Sequence, residues 1–241
     1  MKLKLKNIYA ALAMGVAVLT VARAEPVEGS AITIGRVKVA LAESNWEKYP
    51  APSLGIKVSG GNGEVRSEAG LLVLRRADGQ VAAAFMVGAT WGRSQLYINN
   101  SCQAQEPLYA HDFSGGQAKA MECARTGGPF STEMLLKQAM PKLKAAVEPL
   151  SPSLKLPEMS YPVWIFMSNH NASIVMVEGV VARDFAGLSN HEPLDKLPVN
   201  LRPVVAAWAD ALGAASKEAV NSMGGELLMP AVAFNANQPS P

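Results

Sequence analysis

The most informative segment of the chain covers residues 71–87 and reads LLVLRRADGQVAAAFMV. Its two apolar runs flank Asp78-Gly79, a dipeptide that favours the tight turn of a β-hairpin because both central positions of that turn need a positive φ. The second run, which continues to residue 90, is apolar on both of its alternating faces. Such a strand is typical of the middle of a sheet, where other layers cover both sides. The segment therefore predicts two antiparallel strands, of which the second is central.

Further extended segments lie on both sides of this hairpin. The glycine-rich residues 60–63 predict a second tight turn, between strands at residues 56–59 and 64–66. Residues 163–167 and 174–182 are strongly apolar and predict a buried hairpin. The alternation of residues 31–41 predicts one strand with a slip near Gly35, and the prolines near residues 46–52 predict a turn. The remaining strand predictions are residues 95–99, 119–125 and 227–234.

Two segments have the hydrophobic period of a helix. One predicts a helix over residues 131–148, which Ser131 would cap and Pro141 should kink or split, and the other predicts a helix over residues 201–223. Strands joined by short connections pair antiparallel, and helices separated from strands are typical of α+β proteins. We therefore predict an α+β fold, a mainly antiparallel sheet of hairpin-linked strands with two helices packed on it. It forms a single domain over residues 25–234, with a sub-boundary near residues 149–160 as an alternative, and a disordered tail over residues 235–241.

The first 24 residues have the pattern of a secretory signal peptide. Lys2, Lys4 and Lys6 precede an uncharged, mostly apolar run, and Ala22-Arg23-Ala24 offers small side chains for cleavage. Removal of this leader lowers the basic residues from 22 to 18, against 20 acidic residues, so the net charge changes from +2 to −2. We expect an exported protein that has no membrane span after cleavage and lacks the cationic excess needed for nucleic acid.

The sequence contains two cysteines, Cys102 and Cys123. In an oxidising compartment such a pair normally forms a disulfide, and closing a loop of this size would stabilise the fold by about 3 kcal/mol. A functional thiol site is the alternative, although no C-x-x-C spacing is present. Because turn-forming residues lie at 112–116, we predict an extended arm, a turn and a returning arm, with the disulfide joining the bases of the arms.

Residues that could carry chemistry are few. Three histidines in predicted loops, with a neighbouring carboxylate, could bind zinc or provide the base of a hydrolase: His111, Asp112, His170 and His191. Their spacing matches no metal-binding motif, so solvated loop histidines are the simpler interpretation. Trp46 and Trp91 lie beside predicted turns. They either line a ligand groove, or pack in the core or over the edge of the sheet. The sequence assigns no catalytic residue, no metal ligand and no cofactor.

Three short patterns carry a resemblance to a group of proteins. They are the strand LLVLR at residues 71–75 followed by DGQV at residues 78–81, a first cysteine after a strand, and MECAR at residues 121–125. Over about residues 70–190 the chain resembles exported proteobacterial proteins of uncharacterised function. The resemblance implies a Gram-negative exported protein with a disulfide inside the domain, located in the periplasm or secreted, and it implies no activity.

The function that these observations favour is that of a non-catalytic exported protein that binds or assists an envelope protein, a peptide or a lipid. One alternative is a periplasmic hydrolase, metal-assisted or not, that uses the loop histidines. Another is an enzyme inhibitor that inserts the arm between Cys102 and Cys123 into a target cleft.

Overall fold

The computed structural model describes residues 25–26, 31–42, 45–57, 64–91, 102, 109–115, 122–151, 153–169, 173–186, 202–222 and 225–232. Its strands are β1 (Glu25–Pro26), β2 (Ala31–Ile34), β3 (Val37–Leu41), β4 (Trp46–Pro50), β5 (Leu54–Lys57), β6 (Glu64–Arg75), β7 (Val81–Trp91), β8 (Tyr109–Asp112), β9 (Glu122–Thr126), β10 (Phe130–Ser131), β11 (Met159–Ser168), β12 (Ser173–Ala182) and β13 (Glu226–Met229). Its α-helices are α1 (Thr132–Gln138), α2 (Pro141–Val147) and α3 (Arg202–Asn221). The predicted leader, the tail and the strand at residues 95–99 lie outside the described residues.

The main sheet has the strand order β1-β4-β6-β7-β12-β11-β9-β8, with β5 paired to β6 and β10 paired to β11. All of these neighbours are antiparallel. Every residue of β7 from Val81 to Ala89 is buried, because apolar layers cover both of its faces. The predicted α+β class, the antiparallel sheet and the central position of the second strand in residues 71–87 are confirmed.

Two predictions in the N-terminal part of the chain were wrong. Residues 31–41 form a hairpin of β2 and β3 rather than one strand, because the chain reverses at Gly35, whose φ is +59°. Residues 46–50 form β4 rather than a turn, with Trp46 opposite Leu74 of β6. Pro50 is tolerated in β4 because β1 pairs only with Glu47 and Lys48 of this strand. The missing N–H of the proline therefore removes no hydrogen bond between β4 and β1.

A small second sheet joins distant parts of the chain. It has the order β13-β3-β2, and β13 runs parallel to β3. This pairing is the one parallel contact among the described strands, and it was not part of the predicted topology. It brings residues 226–229 of β13 beside residues 38–41 of β3.

The helices cover opposite faces of the main sheet. Helix α3 packs on one face through Trp208 and Leu212, which join Phe85 in the larger apolar cluster. Helices α1 and α2 pack on the other face, where Leu143 and Met140 join a second cluster. The helix predicted over residues 131–148 is split, because Pro141 cannot donate inside a helix and instead begins α2 at its first position. Ser131 is the N-cap residue of α1, but its side chain forms no capping hydrogen bond.

Candidate functional site

Of the predicted site residues, His111 has the most developed surroundings. The sequence placed it in a loop, but it lies in β8, at one end of the described strand order. Its Nδ1 is 2.5 Å from Oδ1 of Asp210 on α3, and its ring stacks on Phe113 with centroids 4.0 Å apart. Tyr109 also hydrogen-bonds the carboxylate of Asp210. Partial burial and this hydrogen bond raise the pKa of the Tyr109 hydroxyl above its ordinary value.

The chemistry of this cluster follows from the hydrogen bond between His111 and Asp210. A carboxylate acceptor holds the proton of the neutral imidazole on Nδ1, so Nε2 carries the free lone pair. The side chain of His111 is 44% exposed, so Nε2 could serve as a base or as a metal ligand. Within the described ranges, however, no group of three or more histidine, cysteine, aspartate or glutamate side chains is arranged to hold a metal ion.

Asp112 does not orient the histidine beside it. Its Oδ1 accepts a hydrogen bond of 2.9 Å from the backbone N–H of Ser114, which is an Asx turn at the end of β8. Hydrogen bonding to Ser114 lowers the pKa of the Asp112 carboxyl. The carboxylate that partners His111 is therefore Asp210, which lies 99 positions along the chain.

The described part of the arm between the cysteines, residues 109–115, is held against α3. The predicted disulfide between Cys102 and Cys123 is confirmed, with Cα atoms 5.4 Å apart. At the turn, Lys217 of α3 donates a hydrogen bond of 2.6 Å to the carbonyl oxygen of Phe113 and lies 2.8 Å from Glu122. Phe113 reaches the helix over Gly213, where a Cβ would lie 2.7 Å from its ring. The described part of the arm thus contacts its own domain, which does not favour the inhibitor interpretation.

Trp46 does not join this cluster. Trp46 is only 2% exposed and packs against Phe85 with ring centroids 6.0 Å apart, so it is a core residue and not part of a ligand groove. His170, His191 and the side chain of Trp91 lie outside the described residues.

A cavity that the sequence did not indicate opens between the two short helices and the connector that follows them. We call it the α1–α2 groove; its volume is about 480 Å³. Its apolar floor is formed by Leu136, Val147, Leu154, Leu156 and Pro157. Its charged rim is formed by Glu133, Lys137, Lys144, Glu148 and Glu158. Such a combination of apolar lining and a few polar groups is typical of ligand sites.

The walls of the groove are fixed by local bonds. The backbone N–H of Thr132 donates to the carbonyl oxygen of Glu158 at 2.9 Å, which joins the start of α1 to the connector. The backbone N–H of Leu154 donates to the carbonyl oxygen of Leu150 at 2.8 Å, and the buried side chain of Leu154 joins the apolar cluster that contains Leu143 and Val147 of α2. In the first turn of α2, the backbone N–H of Leu143 donates a hydrogen bond of 3.1 Å to the buried carboxyl of Glu178 of β12. Burial raises the pKa of this carboxyl.

A more polar cavity adjoins the groove. We call it the Lys155 pocket; its volume is about 500 Å³, and it shares Leu156, Pro157 and Glu158 with the groove. Its other lining residues are Arg75, Arg76, Asp78, Gly79, Gln80, Val81, Ser153 and Lys155. Arg75 and Arg76 are fixed by ion pairs of 2.7 Å and 2.5 Å with Glu47 and Asp184.

Some sequence signals could have indicated these sites. One face of α3 carries Asp210, Gly213 and Lys217, because these residues are three and four positions apart. This polar stripe with a glycine was a signal in the sequence, but the helix was predicted from its apolar face alone. Leu154 and Leu156 stand among prolines, in the segment that we considered only as an alternative sub-boundary. Apolar residues in such a segment indicate that it packs against something.

No protein-family model matches the chain, and no curated protein or solved structure is significantly similar to it. Among the residues that the structure describes, no helix has both the length and the apolar character required to cross a bilayer.

Proposed function

We propose that the protein is an exported, non-catalytic protein that binds part of another envelope or secreted component, a peptide or a lipid, in the α1–α2 groove. The observation that carries this proposal is the apolar floor of the groove within a rim of charges, in a cavity of about 480 Å³. Burial of apolar ligand surface on the floor would supply affinity, and the rim charges would orient the ligand.

The disulfide supports an oxidising compartment, because such bonds persist there and are rare in reducing ones. Together with the predicted leader, it favours the periplasm or the medium of a Gram-negative bacterium as the location.

Titration with the uncharged apolar dye N-phenylnaphthylamine tests the binding site. Leu136→Glu places a charge on the groove floor and should abolish the rise in dye fluorescence. Met134→Glu is the matched control, because Met134 lies on the same helix, is 38% exposed and does not line the groove. Equal dye binding by both variants, with circular dichroism like that of the wild type, would contradict the proposal.

A second candidate function is that of a hydrolase, which the hydrogen bond between His111 and Asp210 favours. In this case His111→Gln should remove any hydrolysis of p-nitrophenyl esters, and Asp210→Asn should reduce it strongly because the wrong tautomer is favoured. If the wild-type protein hydrolyses these esters no faster than buffer does, hydrolase activity on p-nitrophenyl esters is excluded.

A further inference from the structure

We propose that the disulfide between Cys102 and Cys123 is a thiol–disulfide exchange site, which a dithiol opens by attack on Cys102 with Cys123 as the leaving sulfur. The juxtaposition of each sulfur with one polar group carries the proposal: a backbone carbonyl oxygen lies beside Cys102, and the guanidinium of Arg125 lies beside Cys123. This site is separate from the α1–α2 groove, so the proposal does not depend on the proposed function.

The guanidinium of Arg125 is placed to hold a thiolate at Cys123. Its Nε lies 3.2 Å from Sγ of Cys123, which is two positions earlier on β9, so both side chains extend from the same face of the sheet. Burial lowers the pKa of Arg125, and among the residues that the structure describes it forms no ion pair. A disulfide sulfur is a weak acceptor, whereas a thiolate is strongly stabilised beside a cation. Reduction would therefore give this guanidinium a counter-ion.

The backbone beside Cys102 is placed to accept a hydrogen bond from a thiol. Sγ of Cys102 lies 3.2 Å from the carbonyl oxygen of His111. The oxidised sulfur has no S–H and cannot donate to this oxygen, whereas the thiol of reduced Cys102 can. Both sulfurs thus have a partner suited to the reduced protein, a carbonyl oxygen for the thiol of Cys102 and a cation for the thiolate of Cys123.

Exposure determines which sulfur is attacked. Cys102 is partly exposed, whereas Cys123 is only 1% exposed. The rate of exchange depends on access to the attacked sulfur and on the stability of the leaving thiolate. Both factors favour attack at Cys102, because solvent reaches this sulfur and because Cys123 then leaves beside Arg125.

The exchange is balanced with a dithiol as the reductant, for example a protein with a C-x-x-C motif. A thiolate of the dithiol forms a bond to Sγ of Cys102 while the bond between the two Sγ atoms breaks, and the electron pair of that bond stays on Cys123. The second thiol of the reagent then attacks the reagent sulfur of the mixed disulfide and expels Cys102, which takes up a proton. The dithiol is oxidised to a disulfide, the protein disulfide is reduced to one thiol and one thiolate, and one proton passes to solvent.

The acids near Cys123 are held by other partners. Asp112 lies opposite Cys123 in the ladder of β8 and β9, but its Oδ1 accepts the hydrogen bond of 2.9 Å from the backbone N–H of Ser114. Glu122 precedes Cys123 and lies 2.8 Å from Nζ of Lys217. These contacts draw the two negative charges away from the sulfur, so the effect of the guanidinium on a thiolate at Cys123 remains.

The folded protein can accommodate the opening of this bond. The described part of the arm stays attached after reduction, because β8 pairs with β9 and Lys217 donates to the carbonyl oxygen of Phe113. Loop closure favours the oxidised form, and the contact between Arg125 and the sulfur of Cys123 offsets part of that preference. The disulfide can therefore open and close without unfolding of the domain.

Equilibration with mixtures of reduced and oxidised dithiothreitol in native buffer tests the proposal, with the reduced fraction measured by alkylation and mass spectrometry. Arg125→Met keeps an apolar stem and removes the cation, so its equilibrium constant for reduction should be about tenfold lower than that of the wild type, or ~30 mV in reduction potential. Arg125→Lys keeps the charge and should lie between the two. Arg66→Met is the matched control and should equal the wild type, because Arg66 is exposed on β6, which β7, β12 and β11 separate from β9.

Two further measurements examine each sulfur separately. Brief reaction with glutathione, stopped by alkylation, should give a mixed disulfide on Cys102 in the peptide mass spectrum. In Cys102→Ser, titration of the ultraviolet absorbance of the thiolate should show a pKa of Cys123 below the ordinary value for a cysteine thiol, and addition of Arg125→Met should raise this pKa.

Several outcomes would overturn the proposal. One is a wild-type disulfide that dithiothreitol does not reduce unless a denaturant is added. Another is an equal equilibrium constant for the wild type and Arg125→Met, with circular dichroism showing that both are folded. If Arg125→Met does not fold, an ordinary or raised pKa of Cys123 in Cys102→Ser has the same meaning. A mixed disulfide on Cys123 would contradict the direction of attack.

Discussion

Replacement of Gly179 by alanine should destabilise the protein strongly. Gly179 of β12 lies opposite Phe85 of β7 in the middle of the sheet. A Cβ at this position would lie 2.1 Å from Cδ1 of Phe85 and 2.7 Å from the carbonyl oxygen of Ala84. The ring of Phe85 is fully buried between Trp46 and Trp208, with centroid distances of 6.0 Å and 5.6 Å, so it cannot move without displacing an indole.

The expected magnitude follows from this crowding. Overpacking of a well-packed core typically costs about 1–3 kcal/mol. Gly179→Ala should lie at the upper end, at ~3 kcal/mol, because one of the atoms in the way belongs to the backbone. For a chain of this size that corresponds to a fall in Tm of roughly 6–12 °C. Urea unfolding followed by tryptophan fluorescence measures the loss, since Trp46 and Trp208 are part of the affected cluster.

Two further variants make the test specific. Gly128→Ala is the matched control, because its new Cβ would have only ring carbons of Phe130 near it, at 4.0 Å, and its stability should change by less than about 0.5 kcal/mol. Phe85→Leu combined with Gly179→Ala should cost less than the sum of the two single changes, because the smaller side chain relieves the clash. A Gly179→Ala protein as stable as Gly128→Ala would refute the reasoning.

Three other perturbations have defined outcomes. Loss of the disulfide in Cys102→Ser/Cys123→Ser should reduce the free energy of unfolding by about 3 kcal/mol, the loop-closure value for their separation of 21 residues; an unchanged urea midpoint would contradict this. Burial raises the pKa of Glu178, so the folded state binds its proton more tightly than the unfolded chain, and stability falls as pH rises from about 4.3 through the folded pKa. Glu178→Gln removes this loss, so its stability relative to the wild type should increase between about pH 4 and pH 7 by ~1.4 kcal/mol per unit of pKa shift; parallel pH profiles would be inconsistent with it. Gly213→Ala should displace Phe113, which is partly exposed, and speed amide hydrogen exchange in β8 about tenfold or more. The expected stability cost is about 1 kcal/mol. Unchanged exchange in residues 109–113 would show that the position of Phe113 does not depend on the space above Gly213.

The strand hairpins could be predicted from the sequence because their signals are local. Asp78-Gly79 between two apolar runs gives both the turn and the antiparallel pairing of β6 with β7. Pro141 likewise predicted a break in the helix, since its effect depends only on its own ring and missing N–H. Predictions failed where tertiary pairing overrode a local cue, as at residues 46–50, where prolines indicated a turn but β6 offered a neighbouring ladder.

The candidate sites could not be predicted because they depend on contacts that no local pattern encodes. His111 meets Asp210 only because the end of β8 comes within side-chain reach of α3, which requires the position of both elements in the fold. The α1–α2 groove requires the connector to lie beside both short helices, and this depends on long-range bonds such as that from Thr132 to Glu158. The disulfide is the exception, because two cysteines leave only one pairing within the chain.

The parallel pairing of β13 with β3 has a consequence for how the chain acquires its structure. The hydrogen-bonding edge of β3 that receives β13 stays open until residues 226–229 arrive, although β3 itself emerges nearly the whole chain length earlier. Such a late, long-range closure makes folding slow compared with the formation of the hairpins. Any process that delivers the polypeptide progressively, ribosomal synthesis and translocation alike, therefore leaves this edge of β3 unpaired until β13 has been delivered.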